Sequence, residues 1–334
     1  MENAFTAHNI RLDDGRATLP SLRWTIDRST VLRAARTLLG VVYPEGLAGK
    51  TIVDVGCLEG GYTTEFARLG MTATGIEVRE SNFVNCMYVK EHVNLDNLRF
   101  IHDDANNIEH HGKFDVFFIN GLLYHLDKPR EFLEKAAKNC DKVLILQTHV
   151  ANAGISEAIK RHSLSEICEH EGLRGRWYPE YEALSAEQLE RMKWHSWSNA
   201  KSFWIQKEYL IDLIRHIGFD LVFEQFDFMD DVVAEMTGGF YKTDDRVMLV
   251  GVKRAPGEDC GPSAGEFWYP FPPATSVSAT ASPEPPATAP VSGQDALEIA
   301  ALRQEIALLR GSTSWKMTAP LRALIGRWRL ARSR

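Results

Sequence analysis

The stretch KTIVDVGCLEGGYT, residues 50–63, decides the fold. Lys50 to Val55 is a short β-branched run, the composition of a buried strand. It ends in Gly56, and after Cys57, Leu58 and Glu59 come Gly60 and Gly61. Tyr62 to Leu69 then shows a helical pattern that stops at Gly70. Strand, glycine turn and helix in that order form the nucleotide-binding corner of a doubly wound α/β sheet. Glycine lets the backbone approach a ligand with no Cβ in the way, and the helix start offers N–H groups free of helical partners. Leu58 and Glu59 break the G-x-G-x-x-G spacing of a dinucleotide site, so a pyrophosphate loop is disfavoured.

The same pattern continues outward. Thr72 to Glu77 reads as a second strand, ending in an acid 21 residues after Gly56, where a carboxylate can accept both hydroxyls of a ribose. LRFIHDDA (98–105) reads as a third strand ending in Asp103 and Asp104. FDVFFIN (114–120) reads as a fourth that runs into GLLYHL (121–126). In an open parallel sheet these ends gather along one edge, where ligands bind. VLILQTH (143–149) follows a helical stretch as a fifth strand, and LVFEQFDF (221–228) with RVMLVGVK (246–253) reads as a closing hairpin. From Asp27 to about Arg254, apolar runs alternate with helical patterns throughout, as in α/β domains.

The motifs VDVGCLEGGYT (53–63), GIE (75–77), DDA (103–105) and FDVFFINGLLYHLDKP (114–129) together resemble the class I S-adenosylmethionine-dependent methyltransferases, over roughly residues 25–255. The resemblance implies a Rossmann-like, doubly wound seven-stranded sheet with an antiparallel last strand, and S-adenosylmethionine as cofactor. It implies Asp54, Gly56 and Gly60 around the methionine moiety and Glu77 on the ribose. Asp104 would then accept from the adenine amino group with Val78 on the ring, and Cys57, Ala105 and Asn120 are further expected cofactor contacts.

Substrate chemistry is expected in the long insertion of about residues 151–200, between the fifth strand and a helix read at Gln206–Ile217. A simple crossover needs far fewer residues, so the insertion is a candidate lid or substrate wall. Four of the protein's eight tryptophans lie between 177 and 204. Flat aromatic faces beside polar tips suit a sugar, and Trp177, Tyr181, Trp194, His195 and Trp197 are the candidate substrate contacts. The alternative is that these rings only cement the insertion to the sheet.

Methyl transfer to oxygen needs donor and acceptor in line and a group to take the hydroxyl proton. His125, just after the fourth strand, is the best-placed base, although the same segment can instead shape the cofactor pocket. His149, at the end of the fifth strand, is the weaker candidate. His110 and His111 read as caps of a solvated loop. No acid and histidine cluster has metal-site spacing, so no metal is expected, and there is no serine elbow, P-loop or CxxC.

Composition bounds the rest. With 44% hydrophobic and 25% charged residues the chain is neither disordered throughout nor fibrous. No run approaches the ~18 apolar residues of a spanning helix, and Met1 to Leu12 lacks the basic start and apolar core of a signal peptide. Five unclustered cysteines fit a reducing cytosol. The net charge of −7 averages three objects. Residues 1–255, the expected methyltransferase domain, carry −8, which argues against a nucleic-acid footprint. Residues 256–294 carry −4 and, from Pro270, read as a Pro/Ala/Ser/Thr-rich linker. Residues 295–334 carry +5.

Within that tail, Ile299, Leu302, Ile306 and Leu309 make a two-heptad seam able to pair with a second copy, a partner or the chain itself. Ser314–Arg334 adds six basic residues among Trp315, Leu321, Leu324, Ile325 and Trp328, suited to an anionic membrane face, to docking or simply to water. TSWKMTAPLRALIGR (313–327) resembles a terminal module of bacterial glycosyltransferases and partner enzymes of surface-polysaccharide assembly. That resemblance implies O-methylation of a sugar in a glycan or lipid-linked precursor, by a cytoplasmic enzyme tethered at the inner membrane face or to a glycosyltransferase. Two other classes stay open. SFWIQKEYLIDLIRHIGF (202–219) with GLLYHL resembles enzymes that modify the tRNA wobble uridine, and small-molecule methylation is a further possibility. A non-catalytic, cofactor-binding adaptor pairing through Ile299–Leu309 is the third.

Overall fold

Val53, Asp54 and Val55 are buried on both faces of the sheet, which a strand can sustain only when helices cover it on each side. The computed structural model describes residues 4–22, 24–151, 162–182, 184–225 and 246–254. Backbone contacts divide the chain into Met1–Pro270 and Phe271–Arg334. All described residues belong to the first unit; the linker, the heptad seam and the basic tail lie outside them.

The order along the chain is α1 (Thr30–Val42), β1 (Thr51–Val55), α2 (Gly61–Arg68), β2 (Thr72–Glu77), α3 (Glu80–Glu91), β3 (Leu98–His102) and β4 (Phe114–Asn120). Then come α4 (Pro129–Asn139), β5 (Cys140–His149), β6 (Cys168–His170), β7 (Leu173–Pro179), α5 (Ala186–Arg191), β8 (Lys201–Ile205), α6 (Lys207–His216), β9 (Leu221–Glu224) and β10 (Arg246–Val252). Seven strands form one sheet in the order β3-β2-β1-β4-β5-β10-β9. The pairs β3-β2, β2-β1, β1-β4 and β4-β5 are parallel, and β10 runs antiparallel to both β5 and β9. This is the doubly wound sheet with an antiparallel last strand that the motifs imply. The strand order reverses between β1 and β4, the switch point at which such sheets open a crevice.

Local chemistry places the helices. α1 buries Val31, Leu32, Ala34, Ala35, Leu38 and Leu39, one stripe at helical spacing, and leaves Val41 in water. α4 begins on Pro129, where a missing N–H costs nothing. The fifth strand is three residues longer than VLILQTH, because Cys140 pairs with Phe114 ahead of a shift in register.

The insertion holds more order than a lid reading requires. β6, β7 and β8 form a separate three-stranded antiparallel sheet, reaching five residues past the expected boundary at 200. The alternation in KSFWI is brief and abuts a helical pattern, which hid β8. α6 accordingly starts at Lys207, with Gln206 as its cap. The described part of the closing hairpin ends at Gln225 and resumes at Arg246.

The sequence offered no sign of the strap formed by residues 5–12. The Glu59 carboxylate accepts from the Thr6 N–H at 2.7 Å, the Thr6 hydroxyl at 2.9 Å, the Ala7 N–H at 3.0 Å and the His8 N–H at 2.8 Å. His8 in turn accepts the Gly61 N–H on Nδ1 at 3.0 Å, so its ring must be neutral there. Burial drives the His8 pKa down from 6.5 to about 4, against the opposing pull of Glu59. Below pH 6.5 the unfolded chain takes up a proton that the folded chain refuses, so stability falls as the pH drops toward 4. The loss is at most about 3 kcal/mol. Urea denaturation of wild type and His8→Gln at neutral pH and near pH 4 checks this: the variant should show the shallower dependence.

Candidate functional site

The turn after β1 is built from left-handed backbone. Gly56 (φ +72°), Leu58 (φ +53°) and Gly60 (φ +76°) lie within five residues. A Cβ on Gly56 would sit 3.2 Å from the Leu122 side chain, and one on Gly60 would meet the Phe100 ring at 2.6 Å. Leu58 has no such freedom, and a non-glycine residue in this region costs about 1–3 kcal/mol unless its surroundings hold it. What holds it is Glu77. One carboxylate oxygen accepts the Leu58 N–H at 2.9 Å. The other accepts the Arg79 N–H at 2.9 Å and the Asn82 side-chain amide at 3.3 Å.

Two buried carboxylates therefore end neighbouring strands. Burial raises the Glu77 pKa, with the Arg79 N–H bond opposing. Asp54, bonded by the Thr63 hydroxyl at 2.7 Å, is pushed by burial up to about 7. Both face a cavity of about 410 Å³ at the carboxyl ends of β1, β2, β3 and β4, a size in the range of small-molecule sites. Of the expected cofactor contacts, Asp54, Gly56, Cys57, Glu77 and Val78 line one side. Asp104, Ala105 and Asn120 line it from the next two strand ends. Gly60 does not line it; Gly60 caps the start of α2 and lets Phe100 pack close.

The opposite wall comes from the turn after β4 and from the insertion. His125, Trp194, His195 and Trp197 all line the cavity, and Trp194 remains 62% exposed at its rim. Trp177 and Tyr181 are not among the lining residues. Trp177 packs on Phe203 with Lys201 over its ring, and the Tyr181 hydroxyl lies 3.5 Å from the Trp197 carbonyl. His149 also lies outside the lining: it stacks on Trp204 at 4.6 Å, with the Arg246 guanidinium 2.7 Å from its Nε2. His111, expected to cap a solvated loop, is instead tied to Asp103 at 2.8 Å. Among the described residues no cluster of three or more His, Cys, Asp or Glu is arranged to hold a metal.

Three site residues escaped the sequence reading. Glu180, just after β7, has a fully buried side chain 2.8 Å from His125 Nδ1. An acid among aromatic residues was its only signal. Arg246, at the start of β10, enters the lining and lies over the Tyr124 ring at 5.5 Å. Arg79 follows Val78 directly, which was a usable clue. It donates to the carbonyls of Leu189, His195 (2.6 Å) and Ser196 (3.4 Å) and stacks over Trp197 at 5.1 Å. The Glu190 carboxylate takes the Ser81 N–H at 2.7 Å, so the insertion is fastened twice beside Glu77.

The cavity offers hydrogen-bond acceptors of the kind needed by the cofactor the motifs imply. A carboxylate offers about four acceptor positions, and Glu77 uses three, leaving one for a ribose hydroxyl. Asn120 Oδ1 is buried without a hydrogen-bond partner among the described residues, an acceptor suited to an ammonium group. Gly56 keeps the wall free of a Cβ. S-adenosylmethionine, with its ammonium, ribose diol and adenine amine, fits these groups.

Residues 47–201 match the family model of a methyltransferase domain. The chain is 35% identical over 96 residues to the ubiquinone biosynthesis O-methyltransferase of Psychrobacter cryohalolentis, covering 28% of this chain and 37% of that protein. It is 31% identical over 91 residues to the mitochondrial enzyme of that name from Schizosaccharomyces pombe, covering 26% and 32%. The chain thus spans about a third of the length of the curated relatives it matches. Among solved structures, the N-terminal domain of EvdMO1, crystallised with S-adenosylhomocysteine (SAH) and D-fucose, superposes with a TM-score of 0.50 at 21% identity, over 68% of this chain and 84% of that one. The same domain with SAH alone gives 0.51 at 20% identity, over 74% and 90%. At that identity the likeness speaks for the fold.

Charged hydrogen bonds of the Arg79 kind contribute about 1.5–3 kcal/mol each, and every 1.4 kcal/mol is tenfold. Arg79→Gln should therefore speed hydrogen exchange of amides between Leu189 and Trp197 by about ten- to a hundredfold, with α1 unchanged. Unchanged exchange there would contradict the fastening.

Proposed function

We propose, from a domain that matches the methyltransferase family across residues 47–201, that this chain is an S-adenosylmethionine-dependent O-methyltransferase whose acceptor is a sugar hydroxyl in surface polysaccharide or a glycan precursor. The observation that carries the reading is the cavity: buried acids at the ends of β1 and β2 on one side, an imidazole and exposed indole on the other. When bound, the cofactor supplies a methyl group on a sulfonium, an electrophile that needs only an oxygen in line with it.

The chain's own residues do the rest. Glu77 accepts from a ribose hydroxyl, Asp54 and Asn120 accept from the ammonium, and Asp104 accepts from the adenine amine. Val78 packs on the adenine ring. His125 takes the proton from the acceptor hydroxyl as the new C–O bond forms, a role worth about 10²–10⁴-fold in rate. Trp194 and Trp197 present flat faces to the apolar side of a sugar ring, and His195 offers a polar tip beside them. The segment 193–198, fastened by Arg79, keeps water from the reacting atoms.

The sugar acceptor draws support from the resemblance of residues 313–327 to surface-polysaccharide enzymes and from the use of D-fucose in the EvdMO1 crystals. In this reading the basic tail addresses the enzyme to the cytoplasmic membrane face or to a glycosyltransferase. A small-molecule acceptor is the second reading, favoured by the match to ubiquinone biosynthesis O-methyltransferases. The −8 charge of residues 1–255 weighs against tRNA. Glycan purified from cells with and without the protein separates the readings by mass. The sugar reading requires loss of one methyl unit, restored by wild type and not by Glu77→Ala. Unchanged glycan overturns it.

A further inference from the structure

A base that must take a proton needs a lone pair on the right nitrogen, and a buried charge needs a reason to be buried. Both requirements meet at Glu180. Its side chain is wholly buried. One carboxylate oxygen faces His125 Nδ1 at 2.8 Å and accepts the Ser202 hydroxyl at 2.8 Å. The other accepts the Ser196 backbone N–H at 3.0 Å, with His195 Nδ1 3.5 Å away. Among the described residues no Lys or Arg pairs with it.

We propose that Glu180 is a positioning residue that fixes the tautomer of His125, so that the proton sits on Nδ1 and Nε2 is the acceptor. The proposal rests on the reading of His125 as the base. Both Glu180 oxygens accept, one from the Ser202 hydroxyl and the other from the Ser196 N–H, so the ring nitrogen 2.8 Å from the first is the one that donates to it. The neutral ring then has its lone pair on Nε2, and the imidazolium formed after proton uptake lies against a negative charge.

The insertion holds the other side of the same unit. Asn199 donates to the His125 carbonyl at 3.0 Å, Phe203 N–H to the Leu126 carbonyl at 2.9 Å, and Trp204 Nε1 to the Tyr124 carbonyl at 3.0 Å. The second sheet therefore serves as the frame of the base as well as a wall. The insertion accordingly ends on β8, which bonds directly to the turn carrying His125.

The geometry makes the test one-sided. In Glu180→Gln the amide group must put its oxygen toward the Ser196 N–H, which can only donate. Its NH₂ then faces His125 Nδ1, and the Ser202 hydroxyl rotates to accept. His125 must in turn accept on Nδ1 and carry its proton on Nε2. Imidazole ¹⁵N spectra of the full chain, recorded on the neutral rings and assigned with His125→Gln and His195→Gln, read this directly. The expected result is the Nδ1–H tautomer in wild type and its reversal in Glu180→Gln. Ser202→Ala, which removes one partner of the same oxygen, should keep the wild-type tautomer. An Nε2–H tautomer in wild type, no reversal in Glu180→Gln, or reversal in Ser202→Ala would overturn the proposal. SAH titration of the same samples stands apart: failure of wild type to bind SAH overturns the methyltransferase reading and leaves the tautomer result standing.

Discussion

The carboxylate of Glu77 is the constraint on which the site depends. It is buried at the end of β2, where an unpaired acid would be costly, and it is compensated by two backbone N–H groups and the Asn82 amide. Through Leu58 it stabilises a left-handed residue in the turn after β1. Through Arg79 it sets the residue whose guanidinium grips the insertion more than a hundred positions away in sequence. One side chain thus shapes the floor of the cavity and determines where its opposite wall attaches. Its remaining acceptor position lies in the cavity it organises.

A second buried acid plays the corresponding part for the opposite wall. Glu180 belongs to the insertion, whereas His125 belongs to the turn after β4, so the His125 imidazole is held by an element from outside the seven-stranded sheet. The division of labour follows from the topology. Parallel strand ends present loops that are well placed for a ligand but short of mutual support. The small antiparallel sheet supplies that support, and its edge strand β8 hydrogen-bonds the turn itself.

Much of this was legible in the sequence, for identifiable reasons. The strands up to β4 are short, largely apolar or β-branched segments punctuated by Gly56, Gly70 and Gly121, and acidic or amide residues stand at or near their ends, so order and position could be read together. His125, Trp194, His195 and Trp197 were found because histidines and tryptophans near a strand end or in a long insertion are few. Trp177 could not be told from Trp194 by composition, since the difference is one of place: Trp177 sits on β7 and packs on Phe203, whereas Trp194 lies in the segment before β8 that lines the cavity. Glu180, Arg79 and Arg246 act through partners 50 to more than 100 residues distant. No local pattern encodes such a pairing. The strap of residues 5–12 escaped for the same reason: its stability comes from Glu59, half a sheet away in sequence.

In the proposed function the cavity at the carboxyl ends of β1, β2, β3 and β4 holds the methyl donor, with Glu77 on its ribose and His125 across from it. A crystal structure of the full chain grown with saturating SAH tests this most directly. The account predicts a ribose hydroxyl within hydrogen-bond distance of Glu77, the adenine beside Val78 and Asp104, and the amino group at Asn120. SAH bound elsewhere, or a cavity that stays free of it at saturation, would contradict the account.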